Sequence, residues 1–600
     1  MNQFVSVRNL KFMLYEVFRI EDFLSQSFYQ EHSTEIFDLT LETALKMGSD
    51  ILRPALRPMD QNPPLLVNGA VTVHPAVRTF MRECGDGGWI SAPFTFDQGG
   101  QQLPQMVLTA CRYIFAAANY SASVYPQLTA GAAHLILSFG SPELQGKYIP
   151  KMFSGQWQGT MALTEPQAGS SLSDILTTAL PTDQGFYRMR GQKIFISAGD
   201  HDGVDNVVHL MLAKIKGAPA GVKGISLFVV PKKRVEEGEQ LVFNDIQVAG
   251  IYHKLGYRGT PLTQLSLGEN EDCRGFLVGE PHQGLSYMFQ MMNEARIDVG
   301  LGGAGIASAA YYASLEYARE RLQGRKLSAK DPNLPPVPII EHPDVKRMLL
   351  FQRAVTEGSL SLLLQCSRYV DQMQVAEGEE KERCHLLLDL LTPIAKSYPS
   401  EMGLLSISQG LQCLGGYGYC DEFPIEQFYR DARIHPIHEG TTGIQGLDLL
   451  GRKVIMKGGK AFTLFLQEVQ KTAAEANQIP ALKGYVRRLE QALEELINVT
   501  ARLVTTAQSG NTELFLADAT LYLELFGIIA VAWQWLLQGI SIQKALAGPL
   551  SEMENRFYQG KFYTLRFFFH YELPKIQGLL SRLGEGDGLT VSMEEALFTD

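Results

Sequence analysis

Apolar residues recur at helical spacing through most of the first part of the chain. Two runs, 107–125 and 128–140, carry small and apolar residues at this spacing. Paired prolines at 63–64 and glycine-rich segments within 85–104 separate the runs as loops. The pattern therefore predicts a helical N-terminal domain over residues 1–155.

The pattern changes between residues 156 and 280, where short β-rich runs replace the long helical stretches. Gly, Asp and Asn residues cluster between the runs, so helices of ten or more residues do not fit between the turn signals. We therefore expect a strand-rich domain of the sandwich or barrel type. The runs that predict strands are 185–197, 206–215, 224–231 and 263–268.

Long amphipathic stretches at 284–323, 343–376 and 382–415 predict a helical bundle after the β-rich region. A Gly-Gly pair at 458–459 then opens a last helical region. The predicted fold class is mainly α with a β insert: an N-terminal helical domain, a middle β-domain, a C-terminal helical bundle and an extra C-terminal helical domain. The predicted domains are 1–155, 156–280, 281–455 and 456–600.

The most apolar stretch of the chain is residues 521–537. Glu524 and Gln534 interrupt it, and it falls short of the roughly 20 apolar residues that span a bilayer. We expect a buried helix and no integral membrane segment. The first residues show no basic segment followed by a continuous apolar run, so we expect no secretory signal and a cytoplasmic location.

The charge and the cysteine content argue against some classes of function. The chain has 53 Lys and Arg against 64 Asp and Glu, a net charge of −11, which disfavours nucleic acid as its main partner. The seven cysteines lie far apart and form no CxxC pair. Reduced thiols are the simplest interpretation, and no metal site is predicted.

Residues 300–305 match the GxGxxG pattern of dinucleotide-binding folds. That pattern requires a preceding strand and a tight turn into a helix. The residues before position 300 have helical character instead. The small residues therefore favour the close approach of two helices over a nucleotide-binding turn.

Three further segments offer polar chemistry. A loop at 161–174 presents hydroxyl groups and unobstructed backbone N–H groups, which suit a polar cofactor edge or a phosphate. Phe195 and Ser197 lie two apart on a predicted strand and so face one side, where they could cover a flat ring. Arg321 and Gln323 stand at a predicted helix end and suit anionic phosphates. Taken singly, such segments are more often a plain turn, a core aromatic residue and a solvated helix face.

The strongest signal is the run 411–445. It contains a Gly-rich turn at 415–418, an Arg-Asp-x-Arg cluster at 430–433, and Glu439 followed by Gly-Thr-Thr. A glutamate on a polar loop that enters a helix can reach into a cleft, although the same residue could serve only as a helix cap.

Together, and in this order, the segments resemble the acyl-CoA dehydrogenase family of flavoenzymes over about residues 70–452. The N-terminal extension and the helical tail resemble the large bacterial members, including those similar to methylthiopropanoyl-CoA dehydrogenases. The motifs that carry the resemblance are LTEPQAGS (163–170), KIFIS (193–197), KLGYRGT (254–260), YARERLQGR (317–325), QCLGGYGY (412–419), RDARI (430–434) and HEGTTGIQ (438–445).

The resemblance implies an FAD cofactor and an acyl-CoA substrate. It assigns the cover of the isoalloxazine ring to Phe195 and Ser197, and the adenosine part to Thr441 and Gly443. One set of residues is implied to reach the FAD of a neighbouring subunit, so a homodimer is expected. The residues implied to contact the flavin edge and the pyrophosphate are Leu163, Thr164, Gly169 and Ser170. Those implied to reach the FAD of the neighbouring subunit are Arg321, Gln412, Gly415 and Gly416, and Gln323 is a further implied cofactor contact. The implied substrate contacts are Ser170, Arg296 and Gly440.

The resemblance also implies the reaction, dehydrogenation of an acyl-CoA to the trans-2-enoyl-CoA, as in fatty acid β-oxidation. A base removes the α proton while the β hydrogen leaves as hydride to flavin N5, and the electrons pass to an electron-transferring flavoprotein. A carboxylate whose pKa is raised by burial is a competent base for this step.

Glu439 is the expected base. Some family members place the base on the helix of Arg296, at the position immediately before it, which here is Ala295. Glu294 stands one residue further back and would point about 100° away around the helix.

Three alternatives stay open from the sequence. An acyl-CoA oxidase would share the half-reaction and pass electrons to O₂. A DNA-associated family member would need a basic face, which the acidic balance disfavours. A non-catalytic scaffold would be expected to lose Glu439 or the Gly-rich loops, and both are present.

Overall fold

The computed structural model of this chain describes residues 3–236, 238, 240–328 and 331–599. The chain forms two compact units. The first unit contains the residues up to Phe37, Gln105–Tyr113 and the chain from Arg296 onward, and the second contains Asp38–Pro104 and Ile114–Ala295. The outermost residues of the first and last predicted domains, 1, 2 and 600, lie outside the described residues.

The segment before the β-rich region is helical, as its apolar spacing predicts. The two predicted runs form α5, which is kinked at Asn119, where the backbone leaves the helical conformation (φ −164°). A hairpin that the sequence analysis did not predict stands between α3 and α4. Its turn, Asn68-Gly69, has positive φ at both residues (51° and 79°), as a type I′ turn requires. The elements are α1 (Val7–Lys11), α2 (Thr34–Met47), α3 (Arg53–Gln61), β1 (Leu65–Val67), β2 (Ala70–Thr72), α4 (Ala76–Asp86), α5 (Gln105–Phe139) and α6 (Pro142–Phe153).

The middle of the chain is a β-domain, and each predicted run forms a strand there: β5, β6, β7 and β11. The other strands were missed because they are short or lack apolar–polar alternation. The strands are β3 (Trp157–Ala162), β4 (Thr178–Pro181), β5 (Tyr187–Ser197), β6 (Asn206–Ile215), β7 (Ile225–Pro231), β8 (Lys233–Val235), β9 (Leu241–Phe243), β10 (Ile246–Ile251), β11 (Leu262–Leu267) and β12 (Arg274–Val278).

The main sheet has the order β10-β11-β5-β12-β7-β6-β3. Strand β4 pairs with both β5 and β6, so β5, β12, β7, β6 and β4 close into a small barrel. Met189, Met211 and Phe228 belong to the apolar core on one face of this sheet. A second core, which includes Leu210 and Ile136, packs the other face against α5 and α6.

The predicted bundle forms from α7 (Gly284–Glu320), α8 (Pro343–Val375) and α9 (Gly378–Leu414), followed by α10 (Ile425–Ala432) and α11 (Thr442–Asp448). The glycine run at 300–305 lies inside α7. A Cβ atom on Gly300 would stand 1.9 Å from the carbonyl oxygen of Ala395 in α9. The glycines therefore allow two helices to approach closely, and the dinucleotide-binding interpretation is wrong.

The tail is helical, as predicted. Its longest helix, α15, lies in the core: Trp535 Nε1 donates to the Ala354 carbonyl of α8 (3.1 Å), and Gln534 accepts from Ser361 (2.8 Å). Within the described residues one helical stretch, Thr512–Leu546, is long and apolar enough to cross a membrane, but 61% of its most apolar window is buried. The helices are α12 (Met456–Asn477), α13 (Lys483–Gln508), α14 (Thr512–Leu516), α15 (Ala519–Leu546), α16 (Glu552–Phe567), α17 (Ile576–Glu585) and α18 (Leu589–Ser592).

Candidate active site

Glu439 lies on a tight turn at the start of α11. Glu439 and Gly440 both adopt left-handed backbone conformations, with φ of 53° and 83°. This conformation is uncommon for a residue with a side chain and persists only where the surroundings hold it. The side chain of Thr441 caps α11 by accepting from the Ile444 N–H (3.3 Å), and Gln445 Nε2 donates to the Glu439 carbonyl (3.0 Å). The first turn of α11 therefore fixes the backbone of Glu439.

Burial and nearby positive charge have opposite effects on the pKa of the Glu439 carboxyl. Burial raises its pKa, and the cations of Arg296 and Lys396 oppose that rise, with a net pKa above the ordinary value. A partly desolvated carboxylate of this kind is suited to act as a general base. Lys396 was not singled out in the sequence analysis, since nothing in its neighbourhood on α9 marks it.

Arg296, for which a substrate contact is predicted, forms an ion pair with another side chain of the protein. Its side chain is 4% exposed, and Nη1 forms an ion pair with Asp448 (2.8 Å) at the end of α11. Asp448 also accepts from Arg452 (2.7 Å). The structure therefore assigns Arg296 a role in holding α11 against α7, next to the Glu439 turn.

Glu294, the alternative base, stands in the second unit and is exposed. Its carboxylate pairs with His134 Nδ1 at 3.2 Å. The charge of Glu294 raises the pKa of His134, which favours the charged pair. Glu294 is therefore a surface ion-pair residue in this structure, and Ala295 beside it carries no titratable group.

Five of the predicted cofactor residues meet around one cavity of about 670 Å³ in the first unit. Arg321, directly after the end of α7, stands with its guanidinium 6.0 Å from the ring centre of Tyr417. Gly415 has φ of 60°, and the space where its Cβ would lie is open. His342, which the sequence analysis missed, bonds to the Gln323 carbonyl (2.7 Å). The five residues are Arg321, Gln323, Gln412, Gly415 and Gly416.

A second set of predicted residues meets in the second unit, where the 163–170 loop joins the end of β5. The Ile194 N–H donates to the Thr164 carbonyl (3.0 Å), so the loop lies beside the strand. Gly169 and Ser170 are exposed, while Leu163 and Thr164 are partly buried. The predicted loop residues and the predicted ring-covering residues are therefore neighbours.

Phe195 stands at a bulge near the end of β5. The pairing of β11 with β5 shifts between Thr263 and Leu265, and Phe195 adopts a φ of 57°. Its ring is 51% exposed and lies 4.6 Å from the ring of Tyr252. The bulge presents an aromatic face to the outside, with the partly exposed Ser197 two residues on.

A buried ion pair that the sequence analysis missed supports this loop. Lys193 is fully buried and donates to Glu165 (2.7 Å) and to the Leu163 carbonyl (3.0 Å). Glu165 also accepts from the N–H groups of Leu176 (2.6 Å) and Thr177 (3.1 Å). The one available signal was a lysine among the inward-facing positions of a strand.

The residues of both units have the chemistry that a dinucleotide with a flat ring requires. The second unit offers an exposed aromatic face, a hydroxyl and an open glycine loop, since a Cβ on Gly169 would meet nothing within 4 Å. The first unit offers a cavity lined by Arg321 and by two glycines, Gly415 and Gly416, with open space where their Cβ atoms would lie, which suits phosphate oxygens. Among the residues that the structure describes, no group of three or more His, Cys, Asp and Glu could hold a metal ion.

Comparison with known protein families finds four consecutive matches. They are the acyl-CoA dehydrogenase N-terminal domain (residues 70–156), the middle domain (160–269), the C-terminal domain (282–454) and an acetyl-CoA dehydrogenase C-terminal-like domain (465–594). The Glu439 turn falls in the third of these matches and the Phe195 bulge in the second.

The chain is 37% identical over 566 residues to 3-methylmercaptopropionyl-CoA dehydrogenase of Ruegeria pomeroyi, covering 94% of each chain. Among solved structures it is similar to ACDH-11 of Caenorhabditis elegans in complex with C11-CoA (TM-score 0.78, 20% identity, 98% of this chain and 94% of that one). It is also similar to an acyl-CoA dehydrogenase of Bacillus anthracis complexed with FAD (TM-score 0.74, 21% identity, 95% and 90%).

Proposed function

This chain belongs to the acyl-CoA dehydrogenase family, and we propose that it oxidises the α,β bond of an acyl-CoA thioester to the trans-2-enoyl-CoA with Glu439 as the base. The observation that carries the proposal is the Glu439 turn. Its carboxylate is partly desolvated, lies near two cations, and stands on a strained backbone that α11 holds in place.

In this reaction the bond between the α carbon and its proton breaks, and the proton passes to Glu439. FAD, when bound, supplies the acceptor for the hydride that leaves the β carbon. Because the carboxylate is desolvated, it is more basic than a free glutamate in water, which lowers the barrier to removing a weakly acidic α proton. The turn fixes the direction from which that carboxylate can approach.

The residues that would hold FAD are those of the two groups described above. Phe195 and Ser197 would cover the flavin ring, and the exposed loop at Gly169 and Ser170 would accept its polar edge. The similar Bacillus anthracis protein is complexed with FAD, and the similar Caenorhabditis elegans protein is in complex with C11-CoA, which supports both ligand classes for this chain.

The same proposal includes the partners that the family resemblance implies. The cavity at Arg321 and Gly415 would receive the FAD of a second copy of this chain, so the enzyme would act as a homodimer. An electron-transferring flavoprotein would accept the electrons, and the reaction would take place in the cytoplasm.

The test is the Glu439→Gln variant, followed by single-turnover flavin reduction on anaerobic mixing with a panel of acyl-CoAs. Glutamine keeps the size of the side chain but cannot take up the proton, so we expect the rate to fall by about 10²–10⁴-fold or more. FAD content and acyl-CoA binding should stay near those of the wild-type protein.

Glu294→Gln is the matched control, because it removes a carboxylate from an exposed ion pair with His134. It should keep most of the activity. A dead Glu294→Gln variant beside an active Glu439→Gln variant would overturn the assignment of the base. If no acyl-CoA reduces the flavin of the wild-type protein, the proposed reaction itself is wrong.

A further inference from the structure

The helical tail, residues 456–600, packs directly against α11, the short helix that follows the Glu439 turn. A Cβ atom on Gly446 of α11 would stand 2.8 Å from both the carbonyl carbon and the carbonyl oxygen of Ala519, and 2.9 Å from the backbone nitrogen of Thr520. Ala519 and Thr520 are the first two residues of α15. The backbones of the two helices are therefore in contact, with no space for a side chain between them.

Other contacts of the tail lie beside this one. A Cβ atom on Gly451, in the helical turn directly after α11, would stand 3.2 Å from a methyl carbon of Leu516, the last residue of α14. Arg582 of α17 forms an ion pair with Asp518 (3.2 Å), the residue directly before α15. The start of α15 is therefore tied to α17 in the place where it meets α11.

The two ends of α11 are held by the helical bundle. At its start, the Thr442 hydroxyl donates to Glu401 of α9 (2.5 Å). At its end, Asp448 pairs with Arg296 of α7 (2.8 Å). Between these points, Gly446 lies against the tail. Because α11 has seven residues, about two turns, it depends on such tertiary contacts to keep its conformation and its place.

The place of α11 determines that of the proposed base. Gln445, next to Gly446 in α11, is fully buried, and its Nε2 donates to the Glu439 carbonyl (3.0 Å). A chain of direct contacts therefore runs from Ala519 of α15 through Gly446 and Gln445 to the backbone of Glu439. A shift of α11 at Gly446 would move the donor that holds the Glu439 turn.

We propose that the tail positions the base of the reaction: the start of α15 supports α11, and α11 in turn holds Glu439. The inference rests on the proposed function and gives the tail a role in catalysis without any contact with the substrate. Gly446 and Gln445 are positioning residues in this arrangement. Changes at the contact between α11 and α15 should therefore alter the reaction rate more than the stability of the protein or its FAD content.

The first experiment introduces a methyl group at the contact, as Gly446→Ala in the full-length protein. Non-bonded carbon atoms pack at about 3.5–4.0 Å, so α11 and α15 must separate by roughly 0.5–1 Å. Such a displacement of the base should lower the single-turnover rate of flavin reduction at saturating acyl-CoA by about 10–10²-fold. FAD content and the acyl-CoA concentration that gives half the maximal rate should stay near those of the wild-type protein.

Gly539→Ala is the matched control for a loss of stability. Gly539 also lies on α15, about 30 Å from Ala519 along the helix, and a Cβ atom there would stand 2.7 Å from a methyl carbon of Leu565 in α16. This variant should have a lower melting temperature but the wild-type rate. If both variants slow flavin reduction in proportion to their loss of stability, the contact has no specific role and the inference is wrong. A wild-type rate in Gly446→Ala would overturn it as well.

The second experiment changes the tail and leaves α11 intact. Arg582→Met removes the ion pair at the start of α15, and amide hydrogen exchange of residues 439–446 is followed in the substrate-free protein. Exchange should be faster than in the wild-type protein, because α11 loses part of its support. Lys544→Met is the matched control, since it removes an exposed ion pair with Glu475 (2.8 Å) in the last turn of α15. It should leave the exchange of residues 439–446 unchanged.

Hydrogen exchange needs no turnover, so it separates this inference from the proposed function. Unchanged exchange of residues 439–446 in Arg582→Met would show that the tail does not support the turn, whatever the reaction. Faster exchange in Arg582→Met, in a protein whose flavin no acyl-CoA reduces, would confirm the support and place the failure in the proposed reaction. The same measurement decides the matter if Gly446→Ala does not fold.

Discussion

Two lysines of the first unit are equally buried but differ in their partners. Lys561 of α16 donates to Asn9 (2.8 Å), to Glu357 of α8 (2.8 Å) and to Gln538 of α15 (2.7 Å). Lys396 of α9 is just as inaccessible, and its ammonium has no acceptor among the described residues. Burial lowers the pKa of both groups to about 8.

The difference separates a buried charge that is satisfied by hydrogen bonds from one that is not. The acceptors of Lys561 come from the N-terminal segment, the bundle and the tail, so one ammonium fastens three parts of the first unit to α16. Burial raises the pKa of Glu357, but Arg353 and Lys561 together hold it below its ordinary value. A fully satisfied charge of this kind supports a single packing arrangement, whereas the ammonium of Lys396 has no acceptor among the described residues to fix its position.

Lys561→Met should cause the largest loss of stability. The substitution leaves Asn9 and Gln538 without their donor and Glu357 with only Arg353, and breaking a buried pair costs about 3–5 kcal/mol. Thermal melting and urea denaturation measure the loss. Lys544→Met is the matched control, because Lys544 pairs with Glu475 at the surface (66% and 55% exposed) and should change stability by less than about 1 kcal/mol.

The comparison fails if Lys561→Met and Lys396→Met have equal effects on stability. Equal losses would mean that the burial of a lysine, and not the satisfaction of its hydrogen bonds, decides its contribution to the fold.

Asp371 of α8 is an intermediate case: its buried carboxylate accepts from several donors but, among the residues that the structure describes, has no cationic partner. It accepts from the N–H groups of Gln105 (2.6 Å) and Met106 (3.0 Å) at the start of α5, and from the Tyr29 hydroxyl (2.9 Å). Burial raises its pKa to about 7, although these three donors oppose the rise. The folded protein therefore holds a proton on Asp371 at a pH where the unfolded chain has lost it.

Asp371 should make stability fall as the pH rises. Its contribution is fully present below the ordinary pKa of 3.8 and is lost as the pH rises toward about 7, by about 2–3 kcal/mol between pH 5 and 7. The melting temperature at both pH values, for the wild-type protein and for Asp371→Asn, measures this contribution. Apart from the pH dependence that both proteins share, the melting temperature of Asp371→Asn should be nearly independent of pH over this range. If the melting temperatures of the wild-type protein and of Asp371→Asn change by the same amount between pH 5 and 7, Asp371 is ionised throughout this range.

The sequence predicted the parts of the fold that depend on local periodicity. The apolar spacing of 343–376 became α8, and the run 206–215 became β6 with the same bounds, because each pattern is a property of neighbouring residues. The Glu439 turn was also found locally, from a glutamate beside glycine and two threonines before a helix. Short strands such as β4 were missed because their pairing depends on distant residues.

The buried charges were missed for the same physical reason. Lys193 meets Glu165 across 28 positions, and Lys561 meets Asn9 across 552, so no local pattern links the partners. Lys396 lies on a helix that is buried on most of its surface, where helical spacing does not mark one inward face. Phe195 was predicted on the correct strand, but its exposure arises from a bulge against β11 that the alternation of side chains does not foretell.

The smallest expected effect compares the helix caps of the two regions. Thr441 caps α11 beside the Glu439 turn, and Ser551 caps α16, the helix that carries Lys561; their side chains accept from Ile444 N (3.3 Å) and Glu554 N (3.2 Å). Thr441→Ala and Ser551→Ala should each cost about 1 kcal/mol of stability, because each leaves one helix N–H without its acceptor.

Only Thr441→Ala should also slow flavin reduction, because the first turn of α11 holds the carbonyl of Glu439 through Gln445. Thr441→Ser keeps the hydroxyl and should restore both stability and rate, which separates the cap from a contact made by the threonine methyl group. If Ser551→Ala slows the reaction as much as Thr441→Ala, the rate follows overall stability and the two regions are not distinct. If neither variant slows it, the left-handed backbone at Glu439 and Gly440 maintains the geometry of the base without help from the helix cap.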